Sequence, residues 1–471
     1  MAEKKCDIGM VGLGVMGRNL LLNMADHGFW VAGYHADPGK VDALLREFSR
    51  ANLRGASELR QFIDLLRKPR AIMLMVPAGE PVDDVIRMLV PHLAAGDVLI
   101  DGGNSHFRDT QRRATELSAG GFCYLGVGVS GGEHGARHGP SIMPGGDAAG
   151  YERVRPIFEA IAARVNDEPC VAYLGPGAVG HYVKMVHNGI EYGLMQSIAE
   201  TYDFMKRGLL LSNDQIRRTY RDWNRQELNS YLIEITANIF AEADAGSGKP
   251  LIDLIRDEAA QKGTGMWTSD SALELQSPAP VIDAAVAMRG LSGLKSERNA
   301  AHKLFGCPSA NLKVRPEKLL DPLENALYVA MIITFAQGMA LLRKASERYG
   351  FSLELAETAR IWRGGCIIRA ALLDKIRNAY LLNPHLPNLL LDPGLSEEVR
   401  KREADFRSII CNASRVGLPI PALMAALSYL DSYRSNWLPA NLIQAQRDYF
   451  GAHTYQRVDA DGAFHTQWGR S

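Results

Sequence analysis

The chain opens with a short apolar run, residues 6–11, followed by Gly12-Leu13-Gly14-Val15-Met16-Gly17 and a helical pattern from Arg18 to His27. A Gly-x-Gly-x-x-Gly spacing between a strand and a helix is typical of dinucleotide binding. The first glycine makes the turn, the second admits the pyrophosphate, and the third lets the helix approach the strand. A merely structural glycine turn is the alternative. The position near the N-terminus favours a dinucleotide-binding α/β fold.

Further apolar runs alternate with helical patterns along the first third of the chain. Three of them, Trp30–His35, Ala71–Val76 and Val98–Asp101, are predicted strands. Strands that alternate with helices indicate a parallel, doubly wound sheet. Two more apolar runs, Cys123–Val127 and Cys170–Leu174, are expected to extend this sheet.

Glycine-rich segments follow these runs. Asn104, in Asp101-Gly102-Gly103-Asn104-Ser105, is a candidate ligand contact because ligands bind beyond the carboxyl ends of strands in open α/β sheets. A second predicted loop spans Gly126–Glu133, where Ser130-Gly131-Gly132 offers a hydroxyl and backbone N–H groups to a carboxylate. Pro144-Gly145-Gly146 is predicted to form a third loop. Tight structural turns are the alternative for all three.

Composition narrows the class of protein. A length of 471 residues predicts two or three domains, and 46% hydrophobic residues support large cores. Lys and Arg total 53, as do Asp and Glu, so the charge balance gives no reason to expect nucleic acid or membrane partners. The longest apolar stretch, Tyr328–Leu342, contains Gln337 and is short for a bilayer span.

The cysteines and the N-terminus predict a cytoplasmic protein. The cysteines have no metal-like or disulfide-framework spacing, which fits reduced thiols and predicts no metal site. They are Cys6, Cys123, Cys170, Cys307, Cys366 and Cys411. The N-terminal Met-Ala-Glu-Lys-Lys leads straight into the first strand and does not resemble a signal peptide.

The pattern changes after Gly175-Pro176-Gly177, where helical periodicity takes over until about Leu430. We therefore expect a nucleotide-binding domain over residues 1–177 and an all-helical domain over residues 178–435. Residues 436–471 form a separate tail in this division.

A polar stripe marks the start of the helical region, in Gly180–Tyr192. Read as a helix, this stretch places Lys184, His187, Asn188 and Glu191 at i, i+3, i+4 and i+7, on one face. The rest of the circumference is apolar, so we expect a buried helix whose stripe lines a cavity. The first and last stripe residues lie two turns apart, about 10 Å along the axis. They could serve as a base and an acid at two ends of one molecule; a structural polar network is the alternative.

The chain resembles the decarboxylating 6-phosphogluconate dehydrogenases over essentially its whole length. The matching stretches are Gly12–Gly17, Ile100–Ser105, Gly128–Gly146, Lys184–Tyr192, Gln261–Gly265, Trp362–Arg369 and Asn441–Tyr455. The resemblance implies a Rossmann-type domain, a large all-helical domain, and a C-terminal tail that threads onto the partner subunit of a homodimer. It also implies oxidation of 6-phospho-D-gluconate to ribulose 5-phosphate and CO2 in the pentose phosphate pathway.

The resemblance further implies residue roles. Lys184 would be the general base that takes the proton of the substrate's 3-hydroxyl, and Glu191 would protonate C1 of the enediol. Substrate-binding positions would be Asn104, Ser130, Gly131, Gly132, His187, Asn188, Tyr192, Lys262, Arg289, Arg447 and His453, with Tyr192, Lys262, Arg289 and Arg447 at the phosphate. Cofactor-binding positions would be Gly12, Leu13, Gly14, Val15, Met16, Gly17, His35, Ala36, Asp37, Val76, Pro77, Ala78 and Asn104.

The sequence departs from the family pattern where the cofactor is chosen. NADP-dependent members carry an Asn-Arg-Thr-like stretch after the second strand, and this chain has His35-Ala36-Asp37 there. A family position that is usually lysine is Pro77. NADP is the family's usual cofactor, but an acid near this point favours NAD or dual use. The alternative is that Asp37 belongs to a plain turn and that Lys40 or Arg18 reaches the 2′-phosphate.

Two other readings have distinct signatures. The shorter β-hydroxyacid dehydrogenases share the fingerprint, the Ser-Gly-Gly loop and the lysine, but they lack the long second helical region and the tail with Arg447 and His453. A catalytically silent nucleotide-binding sensor or scaffold would have no chemical need for both Lys184 and Glu191.

Overall fold

The computed structural model describes residues 4–306 and 308–469. The predictions for the first three residues, for Cys307 and for the last two residues of the tail concern positions outside this description. The described cysteines are free thiols, in line with their scattered positions; they are Cys6, Cys123, Cys170, Cys366 and Cys411.

A seven-stranded sheet forms the centre of the N-terminal region. Its strands are β1 (Ile8–Val11), β2 (Val31–Tyr34), β3 (Leu53–Ala56), β4 (Ala71–Leu74), β5 (Val98–Asp101), β6 (Cys123–Ser130) and β7 (Ser141–Gly146). The strand order is β3-β2-β1-β4-β5-β6-β7, and β1 to β6 pair in parallel. Only β7 is antiparallel to its neighbour, β6. The predicted doubly wound fold is confirmed, with one antiparallel edge strand added.

Helices cover both faces of this sheet. They are α1 (Val15–Asp26), α2 (Pro38–Glu47), α3 (Leu59–Leu65), α4 (Glu80–Leu89), α5 (Phe107–Ala119), α6 (Gly132–His138) and α7 (Ala148–Ile161). A small hairpin of β8 (Arg164–Val165) and β9 (Glu168–Pro169) follows. Two separate apolar clusters, one on each side, hold the helices to the sheet.

Two segments predicted as loops are regular structure instead. Gly126–Ser130 belongs to β6, and only Gly131 lies between that strand and α6. Pro144-Gly145-Gly146 forms the second half of β7. Glycine normally weakens a strand interior, unless another backbone approaches closely there. Such an approach occurs here, because α8 (Val179–Asp203) packs directly on both strands.

One further strand prediction is wrong, and one strand was not predicted. Cys170–Leu174 is not a sheet strand: Val171 makes only an isolated parallel bridge to Ile142. Strand β3 was not predicted, because Arg54 and Gly55 interrupt its apolar pattern. It lies at the edge of the sheet and pairs only with β2, so half-exposed residues are tolerated there.

Between residues 179 and 451 the described chain is mainly helical. After α8 come α9 (Asn213–Trp223), α10 (Tyr231–Ile239), α11 (Thr264–Glu274), α12 (Pro280–Gly293), α13 (Lys295–Phe305) and α14 (Leu320–Tyr349). The last five are α15 (Leu355–Ile361), α16 (Leu372–Leu382), α17 (Pro393–Arg415), α18 (Pro421–Arg434) and α19 (Ala440–Gly451). One large apolar cluster joins most of them around α8 and α14.

The apolar stretch Tyr328–Leu342 is part of a longer helix than its own length suggests. Helix α14 has 30 residues, and its most apolar window has a mean hydropathy of 1.6. It is the one helix in the described ranges that is long and apolar enough to cross a membrane. However, 89% of that window is buried inside the protein, as in the core helix of a bundle.

Glycines bring the backbone of α8 into contact with β6 and β7. A side chain at Gly180 would collide with the carbonyl oxygens of Gly126 and Met143. A Cβ at Gly145 would lie 2.5 Å from the backbone nitrogen of Gly180. This close packing fixes the first turns of α8 against the sheet edge, and Lys184 follows one turn later.

Candidate functional site

The predicted stripe of α8 is buried and internally hydrogen-bonded. Lys184 is only 7% exposed and His187 is 0% exposed. Lys184 Nζ donates to Asn188 Oδ1 at 2.8 Å, and His187 Nδ1 lies 3.0 Å from the same oxygen. Asn188 Nδ2 donates to Thr264 Oγ1 at 3.1 Å, at the start of α11. The stripe therefore connects two helices around a half-buried Glu191.

Burial sets the protonation preferences of the stripe. Desolvation lowers the pKa of Lys184, although the nearby Glu191 carboxylate opposes this shift. Desolvation raises the pKa of Glu191, against the opposing charges of Lys184 and Arg289. Burial, together with the charge of Lys184, holds the pKa of His187 well below its usual range. A neutral amine and a protonated carboxyl are both favoured relative to water, as an acid–base pair requires.

The Ser-Gly-Gly segment adjoins this stripe at the end of β6. Ser130 Oγ lies 3.2 Å from His187 Nε2, and both residues are buried. Gly131 has φ +109°, and a Cβ there would lie 2.5 Å from the carbonyl oxygen of Gly365. The position of a Cβ on Gly132 faces open space, so its backbone is free to approach a ligand.

Asn104 lies directly beyond the end of β5. Its side chain is exposed, while Ser105 beside it is buried. Asp101 holds the turn by accepting from Gly103 N at 3.1 Å and from Ser105 Oγ at 2.6 Å. The loop thus presents an amide on a rigid base.

The phosphate-site candidates are partly brought together. The Arg289 guanidinium lies 4.8 Å from the centre of the Tyr192 ring, one residue after Glu191. Arg289 Nη1 also donates to the carbonyl oxygen of Ala260 at 3.2 Å. Lys262 is exposed close to this carbonyl in sequence, and within the described ranges it makes no hydrogen bond or ion pair. Arg289 therefore lies at the far end of the stripe, and Lys262 lies two residues from its contact Ala260.

Two predicted substrate residues, Arg447 and His453, are not joined to the stripe within one chain. Arg447 Nη1 donates to Gln444 Oε1 at 3.0 Å on its own helix, α19. The buried Asp448 carboxylate accepts from Thr454 N at 2.9 Å. The tail thus folds upon itself, and over the described part of the chain no hydrogen bond or ion pair connects Arg447 or His453 to α8.

The fingerprint has the geometry that a dinucleotide requires. Gly12 has φ +98°, and a Cβ there would lie 2.5 Å from the carbonyl oxygen of Met75. The Cβ position of Gly14 faces open space, and no side chain caps the first N–H groups of α1. Free N–H groups at a helix N-terminus are suited to a pyrophosphate. Of the other predicted cofactor residues here, Leu13 is buried, Val15 is exposed and Met16 is half-buried.

The stretch predicted to select the cofactor forms a turn, and within the described residues Asp37 Oδ2 accepts no hydrogen bond. Asp37 caps α2, with Oδ1 accepting from Gly39 N at 2.9 Å. Lys40 Nζ lies 3.3 Å from His35 Nε2, and Arg18 pairs with Glu47 at 3.2 Å. Ala36, between these groups, is exposed and offers no hydrogen-bonding side chain.

The loop after β4 lies between the fingerprint and the Asn104 loop. Val76 Cγ1 would be 3.2 Å from a Cβ on Gly12, and Val76 O would be 3.2 Å from one on Gly103. Pro77 and Ala78 are exposed next to these contacts. All three predicted residues therefore lie in one loop, between the fingerprint and the Asn104 loop.

Sequence reasoning missed three neighbours of the stripe. Thr264 binds Asn188, the Trp362 ring meets the His187 ring edge-on at 5.6 Å, and Cys366 lies close enough to interact electrostatically with Lys184. Burial raises the pKa of the Cys366 thiol to about 12. Their stretches, Gln261–Gly265 and Trp362–Arg369, matched the family, but nothing in the local pattern placed them against α8. Among the described residues, His, Cys, Asp and Glu form no group of three or more that could hold a metal ion.

Gly128 offers a direct test of how Lys184 is positioned. A Cβ on Gly128 would lie 2.5 Å from Lys184 Cβ and 3.0 Å from the carbonyl oxygen of Gly180. We expect Gly128→Ala to displace the amine and to lower kcat/KM by about 100-fold, the cost of a misplacement near 1 Å. Steady-state kinetics with a thermal melt measures this, and Gly290→Ala, which meets open space, is the control. Unchanged kinetics in Gly128→Ala would refute the tight packing.

Comparison with known proteins supports one family. The model of the NAD binding domain of 6-phosphogluconate dehydrogenase matches residues 7–175, and the model of the C-terminal domain of 6-phosphogluconate dehydrogenase matches residues 180–468. The NADP(+)-dependent, decarboxylating 6-phosphogluconate dehydrogenase of Bacillus subtilis is 50% identical over 465 residues, covering 98% of this chain and 99% of the relative. The decarboxylating enzyme of Escherichia coli is 49% identical over the same shares of both chains.

A solved structure agrees with these relatives. The 6-phosphogluconate dehydrogenase of Plasmodium falciparum, described in its apo form and in complexes with its cofactor NADP+ and its substrate 6-phosphogluconate, superposes with a TM-score of 0.95. It is 43% identical in sequence and covers 98% of this chain and 100% of that one. Because the match covers the full length of both chains, it excludes assignment to the shorter β-hydroxyacid dehydrogenases, which lack the second helical region. The chain belongs to the 6-phosphogluconate dehydrogenase family.

Proposed function

We propose that the protein oxidatively decarboxylates 6-phospho-D-gluconate to D-ribulose 5-phosphate and CO2 with reduction of NAD(P)+, a step of the oxidative pentose phosphate pathway. The observation that carries the proposal is the buried face of α8, where Lys184 and Glu191 have pKa values shifted toward each other. Relatives about 50% identical over nearly the whole chain are named for this reaction. The free thiols of the described cysteines support a cytoplasmic location.

Lys184 carries the first proton transfer in this proposal. A nicotinamide cofactor held at Gly12–Gly17 supplies the hydride acceptor. As hydride leaves C3 of the substrate, neutral Lys184 accepts the proton of the 3-hydroxyl. Burial favours the neutral amine, and Asn188 Oδ1 at 2.8 Å orients it. Ser130 and His187 border the same space and would bind the sugar acid.

Decarboxylation and the last proton transfer follow from the same geometry. The 3-keto acid has a carbonyl group β to the C1 carboxylate. This carbonyl accepts the electron pair of the C1–C2 bond as CO2 leaves. Protonated Lys184 then donates a hydrogen bond to the developing enolate oxygen. Burial raises the pKa of Glu191 and so favours its protonated form. This carboxyl then protonates C1 of the enediol. Arg289, Lys262 and Tyr192 would hold the phosphate beyond Glu191.

A homodimer with exchanged tails would complete the site. Over the described residues no hydrogen bond or ion pair joins Arg447 or His453 to α8, which favours a site on a partner chain. The tail also carries exposed apolar side chains that a partner surface would cover; Phe450 is 74% exposed. Others are Trp437, Leu438, Leu442, Ile443, Tyr449 and Val458.

An assay of CO2 release tests the reaction. The purified protein is expected to release one CO2 for each cofactor reduced from 6-phosphogluconate. It should leave gluconate nearly untouched, because Arg289 and Lys262 then have no phosphate to bind. Cofactor reduction without CO2, or equal turnover of a short β-hydroxy acid, would contradict the proposal.

Cofactor choice is a separate prediction, and we propose that NAD is used at least as well as NADP. The free oxygen of the Asp37 carboxylate repels a 2′-phosphate, and Ala36 supplies no guanidinium to bind one. Losing a charge-assisted hydrogen bond of roughly 1.5–3 kcal/mol lowers NADP affinity about ten- to a hundredfold. We expect kcat/KM to favour NAD, and the double variant Ala36→Arg with Asp37→Thr to move the ratio toward NADP. Strong preference of the natural chain for NADP would show that Lys40 or Arg18 binds the phosphate.

A further inference from the structure

We propose that Arg113 is a positioning residue that locks the cofactor loop, residues 76–79, to the loop that carries Asn104. Through this link the protein binds cofactor and sugar acid in one fixed geometry. The inference rests on the proposed function for its substrates. Its evidence is a buried network of charges outside the acid–base pair.

The guanidinium of Arg113 spans both loops. The side chain is only 1% exposed on α5. On one side, Nε and Nη2 donate to the two carboxylate oxygens of Asp83 at 2.9 and 2.8 Å, and Nη2 also donates to the carbonyl oxygen of Gly79 at 2.9 Å. Asp83 lies in the first turn of α4, so this side holds the end of the cofactor loop.

The other side of the guanidinium faces the Asn104 loop. Arg113 Nη1 lies 3.5 Å from Asp101 Oδ2 and 3.5 Å from Ser105 Oγ. Asp101 is fully buried and also accepts from Tyr124 Oη at 3.2 Å. Because Asp101 and Ser105 flank Asn104 in sequence, the guanidinium fixes the base from which that amide projects.

The two loops also touch through their backbones. A Cβ on Gly103 would lie 3.2 Å from the carbonyl oxygen of Val76. Gly102 N donates to the carbonyl oxygen of Leu74 at 3.0 Å, at the end of β4. A shift of either loop is therefore passed to the other, and Arg113 is the side chain that binds both.

A second contact extends the network to the catalytic helix. Thr110, one turn before Arg113 on α5, lies 2.6 Å from His181 Nδ1 through its hydroxyl. His181 is buried on α8, one turn before Lys184. Helix α5 thus contacts the cofactor loop, the Asn104 loop and α8, which together border the proposed site.

Only a guanidinium can make all of these contacts. Its planar fork binds both oxygens of Asp83 and still has a free edge for Asp101, whereas an ammonium has one point of charge. Hydrogen bonds from Arg113 hold the pKa of Asp83 well below its usual range. Arg112 donates to the same carboxylate at 2.9 Å from the surface, but in the described part of the chain no hydrogen bond or ion pair joins it to Gly79 or Asp101.

This difference gives a matched pair for the test, Arg113→Lys and Arg112→Lys. In Arg113→Lys we expect KM to rise for both cofactor and 6-phosphogluconate, and kcat/KM to fall by about 100-fold, because both loops lose their relative position. In binding titrations of the wild-type protein we expect each ligand to raise the affinity for the other, and we expect Arg113→Lys to lose this coupling. Arg112→Lys loses an ion pair to the same Asp83 and is expected to keep wild-type constants.

A milder variant covers the case in which Arg113→Lys does not fold. Ser105→Ala removes only a hydroxyl that contacts Arg113 and Asp101, and we expect it to raise KM for 6-phosphogluconate severalfold and KM for the cofactor to a smaller extent. A lowered melting temperature with wild-type KM values in either Arg113→Lys or Ser105→Ala would overturn the inference and leave a structural role. Absence of turnover by the wild-type protein would instead refute the proposed function, and cofactor titrations would still test the loop link.

Discussion

Lys184→Met is expected to lower kcat by about 10²–10⁴-fold, the range that general acid–base catalysis contributes. The variant removes the base that accepts the 3-hydroxyl proton and the cation that stabilises the enolate. Methionine fills a similar volume, so the packing of the side-chain carbons at this position against Gly128 is kept. Stopped-flow measurement of cofactor reduction with a thermal melt separates chemistry from folding.

The acid should be separable from the base. Glu191→Gln keeps the shape and hydrogen-bonding capacity of the side chain but cannot deliver a proton. We expect this variant to reduce cofactor and release CO2 while the enediol accumulates, which NMR detects through slow proton incorporation at C1. Lys206→Met, at a half-buried lysine just beyond the end of α8, is the control for Lys184→Met and should retain activity. Near-wild-type turnover in Lys184→Met would refute the assignment of Lys184 as the general base.

Mixing two inactive variants is expected to restore activity, because the proposed site combines α8 of one chain with the tail of another. In a hybrid dimer of Lys184→Met and Arg447→Ala, one of the two sites receives both intact parts. Random assortment makes half of the dimers hybrids, so the mixture should reach about a quarter of wild-type activity after subunit exchange. Each variant alone stays strongly impaired.

The control for complementation keeps the Lys184 defect in every site. A double variant with Lys184→Met and Arg447→Ala, mixed with Lys184→Met, cannot form an intact site and should stay inactive. Sedimentation of the same samples reports the oligomeric state. A fully active monomer, or a mixture no better than its parts, would refute tail exchange.

The stripe of α8 was predictable because its signal is local. Four polar residues at helical spacing in an apolar segment determine their own face, and burial follows from the surrounding side chains. The fingerprint is local in the same sense. The second halves of β6 and β7 were predicted as loops because Gly126, Gly128 and Gly145 have the composition of a turn, whereas the strand prediction for Cys123–Val127 is confirmed. Only the approach of α8 from a distant part of the sequence explains them.

Two other features depend on contacts that no local pattern carries. Arg113 lies on an amphipathic helix beside Arg112, and sequence alone does not distinguish the buried arginine from the exposed one. Its partners, Asp83 and Asp101, come from separate strand–helix units that only the sheet brings together. Arg447 and His453 were predicted from the family resemblance, since the proposed site between two chains has no signature within one chain.

The glycine contact between α8 and the sheet edge also determines which parts of the protein can move. Because the backbone of Gly180 rests on the carbonyl oxygens of Gly126 and Met143, α8 cannot slide or rotate against β6 and β7 without a collision. These elements must travel as one rigid body. Because β1 and β2 belong to the same hydrogen-bonded sheet as β6 and β7, any movement that admits a ligand is expected in the loops at the strand ends and not between α8 and the sheet.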